Sequence, residues 1–117
     1  MTVNSEGAAP LAGLRILAFT QLGAGPFGLM FLSDLGAEVI KVEDPTTRGD
    51  EARTVPPYND PAAHDGLYYQ SLNRGARSIT LNLRTAEGRD FLSRLVRRVD
   101  AVYNNVRGDL PARLGLD

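Results

Sequence analysis

Residues 14–43, LRILAFTQLGAGPFGLMFLSDLGAEVIKVE, constrain the fold more than any other part of the chain. Residues 14–19 are a short apolar run with β-branched content, the size of a buried strand. Residues 20–25 read as a turn in which Gly23 and Gly25 supply backbone freedom. Pro26 is suited to open a helix, because the N–H it lacks would be unpaired at the first helical position. Phe27, Met30, Phe31 and Leu35 then recur at helical spacing, and Gly36 is placed as a left-handed C-cap. Residues 39–42 form a second β run, closed by Glu43, Asp44 and Pro45. Strand, Gly-rich turn, helix and strand within about 30 residues make a βαβ unit with parallel strands and a right-handed crossover.

Such a unit sets the turn at the carboxyl end of the first strand, facing a helix N-terminus. Ligands of open α/β sheets bind there. The turn also fits a dinucleotide fingerprint, Gly23-x-Gly25-x-x-Gly28, with Glu43 twenty residues after Gly23. In the nucleotide version the first glycine follows the strand almost directly. Here Thr20, Gln21 and Leu22 intervene, and Pro26 sits where an amide would help hold a phosphate. The alternative is that the glycines let helix and strand pack closely. An NAD- or FAD-binding Rossmann module stays open at this point.

The length of 117 residues suits one domain. The absence of cysteine removes disulfide staples and thiolate chemistry and fits a reducing compartment, so a cytoplasmic location is expected. No apolar run approaches the ~20 residues that span a bilayer, and residues 1–9 lack the pattern of a signal peptide. Residues 1–10 read as a flexible tail. Charge is uneven: residues 1–70 carry −5 and residues 71–117 carry +4. Twelve of the thirteen basic residues are Arg, which binds phosphate bidentately, so the C-terminal half could serve a polyanionic ligand. The overall balance has no basic excess and no binding module for nucleic acid.

Residues 44–65 hold four prolines and cannot be a central strand. Long irregular loops of this kind are usually functional or mobile. His64 lies there with no second metal ligand at useful spacing. Residues 66–72 suit a helical turn. Residues 78–83 alternate as a strand, with Ile79, Leu81 and Leu83 on one face. Thr85 is placed to N-cap a helix running to about Val99, whose apolar stripe is Phe91, Leu92, Leu95, Val96 and Val99. Residues 100–106 give a fourth strand, and residues 107–117 begin a helix. The pattern β-α-β, long loop, β-α-β predicts a parallel, Rossmann-like α/β sheet. Two clear helices are thin cover for four strands, so an incomplete part of a larger domain is expected, with exposed apolar surface and self-association.

Five ordered blocks carry a resemblance: PLAGLRILAF; AGPFGLMFLSDLGAEVIKVEDP; GDEAR; LNRGARSITLNLRTAEGRDFLSRLVRRVDAVYNN; and RGDLPARLGL. Together they resemble the N-terminal end of the family III CoA-transferases, which include formyl-CoA and carnitine CoA-transferases and the α-methylacyl-CoA racemases. The resemblance implies a partial Rossmann-like CoA-binding domain over residues 11–117, acyl-CoA and carboxylic acid substrates, and no tightly bound cofactor. It implies an interlocked homodimer, or a partner supplying the missing half. Transferases of this family use an aspartate that forms mixed anhydride and aspartyl-CoA thioester intermediates, whereas the racemases exchange an α-proton. Asp34, Asp44, Asp50 and Asp100 do not match that aspartate, so the chain alone is expected to be inactive.

The resemblance also implies ligand contacts. Gln21, Leu22 and Gly23 match the residues lining the acyl and pantetheine region, although formyl-CoA transferase has glutamine at the position of Gly23. Arg74 and Arg77 flank the place of a phosphate-binding lysine, occupied here by Ala76. Asn105, Val106 and Arg107 follow the fourth strand, and Arg113 matches an arginine before the LG pair. Asp44 stands where the family has a basic residue. A non-catalytic partner subunit or fragment is a further alternative.

Overall fold

The computed structural model describes residues 7–60, 62 and 65–115. Its centre is a parallel sheet with the spatial order β5-β2-β1-β6, made of β1 (Arg15–Phe19), β2 (Glu38–Glu43), β5 (Ala76–Thr80) and β6 (Ala101–Asn104). Among the described residues four α-helices accompany it: α1 (Ala24–Asp34), α2 (Leu67–Leu72), α3 (Ala86–Val96) and α4 (Leu110–Leu114). The α/β class and the parallel sheet expected from the sequence are therefore present.

Alternation along β1 divides the core. Ile16 and Ala18 join Leu29, Ala37 and Val39 under α1, while Leu17 and Phe19 join Val42, Leu83 and Leu92 under α3. Side chains of a strand point to opposite faces in turn, so burial of both sets requires cover on both faces. Gly36, at φ +100°, ends α1 as expected, and its N–H bonds to the Ser33 carbonyl. Thr85 caps α3 by accepting from the Gly88 N–H at 3.0 Å.

Several boundaries and faces differ from expectation. α1 begins at Ala24, so Pro26 sits third in the helix, where its N–H is still not required. The buried face of α1 is Gly25, Pro26, Leu29 and Met30, whereas Phe27 and Phe31 are 48% and 50% exposed. The glycines decide this. A Cβ at Gly25 would lie 2.6 Å from the Asn105 side chain, and one at Gly28 would lie 2.6 Å from the Tyr103 hydroxyl. Only the glycine-bearing face can approach β6 so closely, and the phenylalanines turn outward. They meet edge to face, with ring centroids 4.9 Å apart. On α3, Leu92 is buried while Phe91 and Val96 are exposed.

β5 starts and stops earlier than the alternation suggested. Ala76–Thr80 pairs with β2, and residues 81–83 continue beyond it, with the Leu81 N–H still bonded to the Glu43 carbonyl. The segment after β2 is ordered into two 3-10 turns, Pro45–Thr47 and Glu51–Thr54, and a short antiparallel pair, β3 (Tyr58–Asp60) with β4 (Asp65–Gly66). His64 lies outside the described residues.

Candidate functional site

Parallel strands all end on one edge, and a crevice opens there, on the α3 face. It measures about 570 Å³. Phe19, Val42, Leu81, Leu83, Val106, Leu110 and Leu114 make an apolar lining, and Gln21, Asp44, Arg84 and Arg113 supply its polar groups. Arg84 and Asp44 face each other at 3.9 Å, and Arg113 lies 3.9 Å from Asp109. Such exposed, long-range pairs are weakly held, so both guanidinium groups can turn toward an anion.

The turn after β1 borders this crevice. Asn105, just past β6, clasps it: the Gln21 N–H donates to Asn105 Oδ1 at 3.0 Å, and Asn105 Nδ2 donates to the Gln21 carbonyl at 3.1 Å. Leu22 has φ 61°, uncommon for a residue with a side chain, and its side chain is half-exposed. Gly23 precedes α1 with no side chain capping the helix, and a Cβ there would lie 2.8 Å from the Tyr68 hydroxyl. Thr20 is buried, and its hydroxyl has no partner among the described residues.

Of the residues implicated by the sequence, Gln21, Val106 and Arg113 line the crevice, and Asn105, Leu22 and Gly23 build the adjoining turn. Arg107 is exposed, and its carbonyl accepts from the Leu110 N–H at the start of α4. Arg74 and Arg77 are not brought to this crevice. Arg74 pairs with Asp34 in the last turn of α1 and reaches Met30 Sδ at 2.8 Å. Arg77 pairs with Glu38, the first residue of β2, at 3.3 Å. Both ion pairs are exposed. Arg84, Leu81 and Leu110 line the crevice without having been singled out. Arg84 follows a parallel strand, and that position relative to the sheet edge was the available signal.

On the opposite face of the sheet, Glu43 accepts from Arg53 Nε at 2.9 Å, Arg53 Nη2 at 2.7 Å, Ser78 Oγ and the Asp50 N–H at 2.8 Å. Burial disfavours its charge, but these donors outweigh burial and hold its pKa down to about 2. Burial beside this carboxylate pushes the Tyr69 phenol upward. Glu43 is thus occupied within the protein and does not serve as the free ribose ligand of a dinucleotide fingerprint. The described residues hold no cluster of His, Cys, Asp and Glu able to bind a metal ion. No helix among them is long and apolar enough to cross a membrane.

Residues 11–117 match the family described as CoA-transferase family III. The chain is 41% identical over 120 residues to the succinate–glutarate CoA-transferase of Agrobacterium fabrum, covering 100% of this chain and 30% of that protein. It is 44% identical over 105 residues to the human succinyl-CoA:glutarate CoA-transferase, covering 88% of this chain and 23% of that one. Among solved structures, a CAIB/BAIF family protein from Brucella suis superposes with a TM-score of 0.83 at 42% identity, covering 93% of this chain and 29% of that one. The chain therefore spans less than a third of the length of these relatives. On the strength of the match over residues 11–117, the chain belongs to CoA-transferase family III.

Proposed function

We propose that residues 11–117 are the N-terminal, CoA-binding part of a cytoplasmic enzyme that moves CoA between carboxylic acids through an aspartyl-CoA thioester. The observation that carries this reading is the crevice at the carboxyl edge of the sheet. Its apolar floor suits a flat or aliphatic ligand body, and Arg84 and Arg113 at its rim suit phosphate. Gln21, Leu22 and Gly23 then meet the acyl and pantetheine end, while Asn105 keeps their turn in shape. Arg107 faces solvent near the phosphates. Arg74 and Arg77, which lie away from the crevice, serve the ligand only if it extends over the sheet.

The nucleophile comes from sequence other than these residues. Asp34 is paired with Arg74, Asp50 is buried against Lys41, Asp100 accepts the Arg15 N–H, and Asp44 caps a turn through the Thr46 N–H. Each of these carboxylates is thus already engaged by a donor within the protein. The chain self-associates or meets a partner that supplies the missing half, and the outward phenylalanines of α1 are apolar surface available to such a contact.

A dinucleotide is disfavoured by the packing of Asn105 against Gly25, because the fingerprint needs that glycine open to a pyrophosphate. Calorimetry with CoA, acetyl-CoA, NAD and FAD tests the reading. Binding of the CoA species is expected; binding of NAD with no response to CoA would overturn it.

A further inference from the structure

The ligand-facing turn contains a residue in an unfavoured conformation, and a buried side chain from a distant segment holds it there. Leu22 has φ 61°. Its N–H donates to Asp50 Oδ1 at 2.9 Å, and the same oxygen accepts from the Ala52 N–H at 2.9 Å. Asp50 Oδ2 accepts from Lys41 Nζ, and neither of these side chains has any exposure. Lys41, the one lysine of the chain, also donates to Asn73 Oδ1 at 2.7 Å. The Asp50 N–H is itself fixed on Glu43 Oε1. The carboxylate is thus anchored from β2, from the 3-10 turn Glu51–Thr54 and from the end of α2, and its remaining contact is the Leu22 amide.

We propose that Asp50 is a positioning residue for ligand binding: its Oδ1 fixes Leu22 in the left-handed conformation that presents residues 21–23 to the bound CoA ester. Non-glycine residues stay in that region only where the surroundings hold them. Asn105 secures Gln21 from one side and Asp50 secures Leu22 from the other. Lys41 neutralises the buried carboxylate, and burial pulls its own pKa down against the pull of Asp50. A buried ion pair roughly breaks even against apolar replacements, so a positional role accounts for it better than a stabilising one. The ligand side of this inference rests on the function proposed above; the conformational side does not.

The decisive comparison uses two double variants that lack the buried Lys41–Asp50 charges. K41M/D50N keeps an oxygen acceptor at position 50, and K41M/D50A removes it. Hydrogen exchange of the Leu22 amide is read against amides of the β1–β2 ladder, alongside acetyl-CoA affinity by calorimetry. K41M/D50A removes the acceptor of both the Leu22 and the Ala52 N–H; the Leu22 amide should exchange about tenfold faster with the ladder unchanged, and acetyl-CoA should bind about tenfold more weakly, the size of effect that lost hydrogen bonds produce. K41M/D50N should resemble the wild type in both. Equal behaviour of the two variants, or losses that merely follow ladder protection, would overturn the proposal. Should K41M/D50A fail to fold, the wild-type Leu22 amide decides: strong protection supports the proposal, and exchange at the rate of a free peptide refutes it. If the wild type binds no CoA ester, the proposed function fails, while Leu22 exchange still judges the positioning.

Discussion

Glu43→Gln isolates the pH effect of one buried, hydrogen-bonded carboxylate. In the folded chain the Glu43 pKa falls from 4.5 to about 2, because Arg53, Ser78 and the Asp50 N–H outweigh its burial. The side chain is 3% exposed, so solvent screens this little. A carboxylate with a depressed folded pKa contributes stability that is fully present above its unfolded pKa and is lost as pH falls through its folded pKa. The window therefore runs from about pH 5 down to about pH 2. At about 1.4 kcal/mol per pH unit, the contribution lost by pH 2 is about 3 kcal/mol. Urea unfolding of the wild type and E43Q, followed by circular dichroism from pH 7 to pH 2, reads this directly. The stability gap between them should narrow by about 3 kcal/mol across that window, since the variant has nothing to titrate at position 43. A gap constant with pH would refute the account of the Arg53–Glu43–Ser78 cluster.

Other perturbations separate core, cap and crevice. Leu17→Ala, at a fully buried position between β1 and α3, should lower stability by about 3 kcal/mol, read by the same unfolding assay. Thr85→Ala removes the acceptor for the Gly88 N–H and should lower stability by about 1 kcal/mol. Asp44→Asn frees Arg84 and removes a negative charge from the crevice, so CoA should bind about threefold more tightly at low salt, with the gain shrinking as salt is added.

Local signals in the sequence located the frame. The apolar run of β1, the cap at Thr85 and the left-handed stop at Gly36 are each decided within a few residues, and each is where it was expected. The face of α1 was not legible, because its sequence is apolar nearly all round. Which side is buried depends on how closely Gly25 and Gly28 approach Asn105 and Tyr103, residues far along the chain. The alternation of residues 78–83 marked a strand, but β5 runs Ala76–Thr80, Leu83 lies in a turn, and Leu81 and Leu83 line the crevice instead. The family blocks led to Gln21, Val106 and Arg113, whereas Arg84 comes into view only when the strands are aligned. Lys41 and Asp50 are nine residues apart with no shared motif, and only the return of the intervening loop makes them neighbours.

The most direct test of the CoA-binding account is a nitrogen-15 NMR titration of the 117-residue chain with acetyl-CoA, with NAD as the comparison. Saturable shifts are expected at residues 20–25, at Arg84, at residues 105–107 and at residues 110–114, with NAD leaving them in place. The absence of any shift, shifts confined to residues 74–77, or an equal response to NAD would contradict it.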